Sequence, residues 1–154
     1  KIRIQLMNYP ECSDLDFYRS YHTNFYNKAI HLVCIPILSI CFLNFASLFD
    51  FIIKGDIALL ISYSLYYFTL GSKIGTIMTI YLVLLYNLSN FWRSIDMNWR
   101  ENSYILFISA WILQFFGHYI EGNSPALLTG LKQAFLEAPL FTMEYIYPSL
   151  LNSL

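Results

Sequence analysis

Four stretches of this chain carry no Asp, Glu, Lys or Arg, and they restrict the fold more than any other feature. Residues 29–49 run for 21 positions without a charge, residues 74–92 and 102–120 for 19 each, and residues 57–72 for 16. An α-helix rises roughly 1.5 Å per residue, so about 20 apolar residues cross a hydrocarbon core of about 30 Å. Three stretches reach that length, and the fourth is a short or thinned span. A soluble helical bundle would need a polar face on each helix, and these stretches have none. Composition agrees: 57% of residues are hydrophobic and 12% are charged, about half the charge of an ordinary soluble domain. The expected fold is an all-α polytopic membrane bundle of about four spans. Its 154 residues form one membrane domain, with an amphipathic helix towards the C-terminus.

Other classes of function are excluded by what is missing. A net charge of −1 leaves no basic stripe with which to displace counterions from nucleic acid. Three cysteines, an odd number, do not build a disulfide framework. Cys34 and Cys41 read as small lipid- or core-facing residues and Cys12 as a free thiol on the solvent side. The sequence contains no nucleophile elbow, phosphate loop or dinucleotide fingerprint. It opens at Lys1, which is compatible with removal of an upstream targeting segment.

Residues 1–16 read as a polar surface arm, and the aromatic run over residues 17–27 as a membrane-interface belt. Span one follows from Lys28, with Pro36 inside it as a kink. Gly71-Ser72-Lys73 is a tight turn that makes spans two and three an antiparallel hairpin, and residues 93–101 form the most polar loop. Beyond Glu121, Ser124 suits an N-cap and Pro125 a first helical position. An amphipathic helix then carries Leu127, Leu128, Leu131 and Phe135 on one side, until Pro139 interrupts it. With four spans, six Lys and Arg lie on the side of the termini and three on the other, which favours cytosolic termini.

Every histidine falls in one of two polar groups. In the first, Asn24, Asn27 and His31 are spaced i, i+3, i+7 and share a helical face. His22 lies nine residues before His31, on the opposite face of a continuous helix; both reach one ion only if the chain breaks between them. Thr23-Asn24 has the capping chemistry for such a break. In the second group, Trp111, Gln114, His118 and Glu121 step by 3, 4 and 3 along one face at the end of the last span. Ionisable residues at membrane depth normally point inward to a partner or a site. A single stripe of this kind is adequately explained by interhelical hydrogen bonds. Two stripes holding all three histidines point instead to a shared metal site. Imidazole with a carboxylate suits Fe(II) where coordination positions stay open, and zinc accepts the same donors. Membrane desaturases and hydroxylases with two irons carry many more histidines, so that class is excluded.

These motifs resemble those of the membrane family of 2-hydroxy fatty acid dioxygenases. The first part of the resemblance is Tyr21-His22-Thr23-Asn24, then Asn27, His31, Ile35 and Pro36. The second is Trp111, Gln114-Phe115, Gly117-His118, Glu121 and Pro125-Ala126-Leu127, followed by Ala138-Pro139-Leu140 and Glu144. It extends from Phe17 to Glu144, with the middle spans alike in character only. The resemblance implies an endoplasmic-reticulum enzyme that uses Fe(II) and O2 to shorten 2-hydroxy fatty acids by one carbon. It further implies iron held by His22, His31 and His118, with Glu121 as a fourth ligand or as an orienter of the others. Asn24, Asn27 and Gln114 would hydrogen-bond ligands or substrate, and the acyl chain of a long-chain 2-hydroxy fatty acid would lie between spans in lipid. In one departure, Cys34 stands where the family tends to have Gly before Ile-Pro, which bears on packing beside His31. The alternative is a catalytically silent subunit of a larger membrane complex, with the mitochondrial inner membrane as the alternative compartment.

Overall fold

The computed structural model describes Arg19, residues 22–122, residues 133–148 and Leu150. The expected polar arm, Cys12, residues Phe17, Tyr18, Ser20 and Tyr21 of the aromatic belt and the start of the amphipathic helix at Ser124-Pro125 lie outside the described residues, as do Leu127, Leu128 and Leu131. Five α-helices occur among those described: α1 (Phe25–Ala46), α2 (Gly55–Thr69), α3 (Ser72–Ile95), α4 (Trp99–Glu121) and α5 (Ala138–Ile146). A π-helical turn, Gln133–Glu137, leads into α5.

Three of these helices, α1, α3 and α4, are long and apolar enough to cross a membrane. At 15 residues, or roughly 22 Å, α2 falls short of a full span. It is the short fourth segment already visible in the charge-free pattern. The helices are inverted relative to a soluble bundle. Ile80, Leu84, Phe91, Ile105, Ile108 and Ile112 are exposed, whereas Asn27, Asn44, Ser89, Ser103, Gln114 and the three histidines are buried. Such a surface suits lipid and keeps the polar side chains for contacts between helices.

The helices alternate up and down, so the start of α1, the end of α2, the start of α3 and the end of α4 share one end of the bundle. At the opposite end, Asn44 of α1 donates to Ser103 of α4 (2.9 Å) and accepts from Ser89 of α3 (2.7 Å). Arg93 of α3 reaches Asp56 at the start of α2 (2.7 Å). The α3–α4 corner is closed by Asp96, which accepts from Asn102, Trp92 and the Asn98 backbone. Those three hydrogen bonds, the one from Asn102 foremost, hold the Asp96 carboxyl below the usual carboxylate range. Between α2 and α3 the tight turn is present, with Gly71 at φ 131°, a value open to glycine. α1 runs unbroken through Pro36. Cys34 and Cys41 both face the protein core, not lipid.

The π-turn follows from Pro139, the second residue of α5. Proline has no N–H to give the carbonyl four residues back, and its ring crowds that carbonyl, so the preceding turn widens. The carbonyl in question belongs to Phe135, and the Tyr63 hydroxyl donates to it (3.2 Å). Tyr67 donates to the next carbonyl, that of Leu136 (2.8 Å), and Tyr66 to the Glu137 carboxylate (2.6 Å). Tyr67 is fully buried. Tyr67→Phe would leave the Leu136 carbonyl short of a donor, so we expect a loss of about 1–3 kcal/mol in stability. Thermal unfolding in detergent micelles, followed by circular dichroism, checks it; an unchanged midpoint would contradict this role.

Candidate metal centre

The break needed between His22 and His31 is present at Asn24. This residue is the N-cap of α1, and its side-chain oxygen accepts from the N–H groups of Tyr26 (2.8 Å) and Asn27 (3.4 Å). His22 therefore precedes the helix and folds back over its first turns. Its ring centroid lies 4.4 Å from that of His31 and 4.9 Å from that of His118. His31 and His118 are themselves 4.9 Å apart by the same measure. All three rings are buried, and Phe141 of α5 packs against His22 at 5.3 Å.

Each histidine presents one nitrogen to the common centre, and these nitrogens lie within 4.8 Å of one another. Nitrogens about 2.1 Å from one ion stand roughly 3–4 Å apart, so a small contraction of the cluster brings all three into coordination. Two further details fit a metal. The Nδ1 of His31 lies 3.0 Å from the Asn27 carbonyl oxygen. That oxygen can only accept, so Nδ1 carries the proton and Nε2 keeps its lone pair. The Nδ1 of His118 is buried with no hydrogen-bond partner among the described residues, a costly arrangement unless something else occupies the site. The donor set fits a divalent transition metal and by itself admits zinc as well as iron.

Glu121 stands one helical turn beyond His118, and both its oxygens accept hydrogen bonds. One accepts from the backbone N–H and hydroxyl of Thr23 and from the Asn24 N–H; the other accepts from the Asn27 side-chain amide. Glu121 is thereby linked to all three histidines, being on the helix of His118, bonded to the residue after His22, and bonded to the residue that holds His31. Thr23 contributes two of these contacts, and its position beside His22 was the only hint of them in the sequence. Asn24 spends its side chain on the helix cap, while Asn27 is buried between His31 and Glu121. Gln114 is buried beneath the histidines, its amide nitrogen unpartnered among the described residues, and lines an apolar cavity of about 260 Å3.

Gly117 makes the close approach of α1 and α4 possible. A Cβ there would lie 2.4 Å from the Asn27 side-chain oxygen and 3.4 Å from its Cα. Asn27 cannot easily yield, since Glu121 and His31 both hold it. Gly117→Ala should therefore lower stability by about 1–3 kcal/mol and loosen the histidine cluster. Unfolding midpoints of the variant and wild type test this, with equal midpoints as the contrary result. The Cys34 side chain packs against Ala110 of α4, whose small size accommodates the larger residue beside His31.

Comparison with known proteins places the chain in a family. The pattern of the Mpo1-like family, described as 2-hydroxy-palmitic acid dioxygenase Mpo1-like, matches residues 12–150. The chain belongs to the Mpo1-like family. It is 31% identical over 140 residues to a Saccharomyces cerevisiae protein named 2-hydroxy-palmitic acid dioxygenase MPO1, covering 88% of this chain and 79% of that relative. No solved structure gives a significant match. The residues matched by the Mpo1-like pattern include all three histidines, Glu121 and Gln114.

Proposed function

We propose that this Mpo1-like protein is an Fe(II)-dependent dioxygenase that shortens long-chain 2-hydroxy fatty acids by one carbon at the endoplasmic-reticulum membrane. The observation that carries the reading is the meeting of three buried imidazoles at one end of the bundle. The name of the yeast relative supports the substrate class. The overall reaction, RCH(OH)COOH + O2 giving RCOOH + CO2 + H2O, balances in atoms and electrons without an outside reductant.

His22, His31 and His118 would hold the metal. Ferrous iron there supplies the unpaired electrons through which dioxygen reacts with a closed-shell acid. The protein's own groups do the positioning. Asn27 fixes the His31 tautomer through its carbonyl, and Glu121 ties the segment carrying His22 to α4. Of the two roles open to Glu121, the hydrogen bonds support the orienter, because both oxygens are already accepting. Among the described residues, the buried Gln114 amide nitrogen has no partner and stands close enough to the histidines to meet a substrate oxygen.

Glu121→Gln replaces one acceptor with an NH2 group that must face an N–H donor. We expect Fe(II) affinity to fall by roughly 10–100-fold with the helical content intact, a milder defect than loss of a histidine. A chelator-competition titration measures it. Loss as complete as that from removing a histidine would instead make Glu121 a ligand. The function itself is tested with purified protein, reconstituted with Fe(II) without air and then given 2-hydroxy-palmitic acid and oxygen. Matched oxygen uptake and a fatty acid one carbon shorter are expected. A folded, iron-loaded protein that consumes neither would favour the catalytically silent subunit, which stable co-purifying proteins would identify.

A further inference from the structure

We propose that the partly open apolar cavity between the helices is an acyl-chain chamber that limits substrate length, with the chain running down among the helices and not over the outer face of the bundle. This rests on the enzymatic reading above. The cavity, about 260 Å3, is lined by Ile35, Ser39 and Leu43 of α1, by Leu59 of α2 and by Trp111 and Gln114 of α4, among others. Ile35 lies one turn below His31, and Gln114 one turn below His118 on the antiparallel helix. The cavity therefore starts beneath the histidines and leads away from them along the helix axes. Its upper end is polar, with the Gln114 amide nitrogen unpartnered among the described residues, and the rest is mainly apolar. That polarity matches an amphiphile whose acid head sits at the histidines.

Length agrees as well. From His31 to Leu43 is roughly 18 Å along α1, against roughly 15 Å for the acyl chains of one leaflet, half of a 30 Å core. A chain of membrane-lipid length therefore fits with its head at the metal centre and its tail near Leu43. Ser39 lies midway, and its hydroxyl donates to the Ile35 carbonyl of its own helix (2.9 Å). A larger side chain at Ser39 would block the lower part of the cavity.

Two measurements test the chamber. In the first, a 2-hydroxyhexadecanoic acid carrying a diazirine near its terminal carbon is photolysed on the wild-type protein and the adducts are mapped. Adducts at Leu43 or Leu59 are expected; adducts confined to the outer face of α4, at Ile105, Ile108 or Ile112, would overturn the proposal. In the second, the kcat/KM ratio for 2-hydroxyhexadecanoic over 2-hydroxyoctanoic acid is compared between wild type and Ser39→Phe. It should fall by roughly tenfold or more, as a blocked apolar pocket rejects the longer chain. An unchanged ratio would contradict the chamber. Turnover with adducts only on the outer face defeats the chamber and leaves the enzyme standing. Labelling at Leu43 or Leu59 without turnover defeats the enzyme and leaves the chamber as a lipid-binding site.

Discussion

His118→Ala, and separately His31→Ala, should reduce turnover of a 2-hydroxy fatty acid by roughly 100-fold or more while the helical bundle persists. Altering a group that merely orients a ligand costs about 10–100-fold in metal affinity or activity. Removing one of three donors should cost at least the upper end of that range. The fold survives because neither imidazole holds helices together by itself. The contacts between α1 and α4 also include Asn44 with Ser103, Cys34 with Ala110 and Asn27 with Glu121. Truncating a buried ring to Ala should remove about 1–3 kcal/mol of packing, within the range most folded chains withstand. Circular dichroism separates the two effects, with helicity kept and activity lost. Retained turnover in either well-folded variant would contradict the three-histidine site.

The second large effect concerns stability at the opposite end. Asp56→Leu should destabilise the protein by about 3–5 kcal/mol, because it strands the partner of a buried charge. Asp56 is 1% exposed and Arg93 14%. The guanidinium joins three helices, bonding the Asp56 carboxylate (2.7 Å), the Asn90 side-chain oxygen (2.6 Å) and the Leu43 carbonyl (3.3 Å). After the substitution, Arg93 keeps two neutral acceptors but loses its counter-charge in an apolar setting. The double variant Asp56→Leu, Arg93→Met removes both charges and should recover much of the loss. Unfolding in micelles measures all three proteins. A single variant within about 0.5 kcal/mol of wild type would show that the pair behaves as an exposed one.

Helix existence was legible because it rests on local pattern. The charge-free stretches locate α1 to α4, down to the short α2, and the Gly71 turn marks the α2–α3 hairpin. The two polar stripes also identified which side chains would meet, since helical spacing puts Asn27 and His31 on one face and Gln114, His118 and Glu121 on another. Partnerships between distant residues were not legible. Nothing local couples Arg93 to Asp56, 37 residues away, or Tyr63 to the carbonyl that Pro139 leaves without a donor. Gly117 stood inside a recognised motif, yet its purpose depends on Asn27 sitting opposite, a fact of packing. Glu121 is the instructive residue. Its position next to the histidines gave it two possible roles, and the donors that favour one come from Thr23, Asn24 and Asn27, nearly a hundred residues earlier.

Metal content and its ligand environment test the three-histidine centre most directly. Wild-type protein, loaded with Fe(II) without air and freed of excess metal, should retain one iron per chain, and His118→Ala protein should retain almost none. X-ray absorption at the iron edge should show imidazole nitrogens at about 2.1 Å, unchanged in Glu121→Gln protein. A well-folded wild-type protein that retains no iron under these conditions, or holds it without imidazole in the first coordination shell, would contradict the centre.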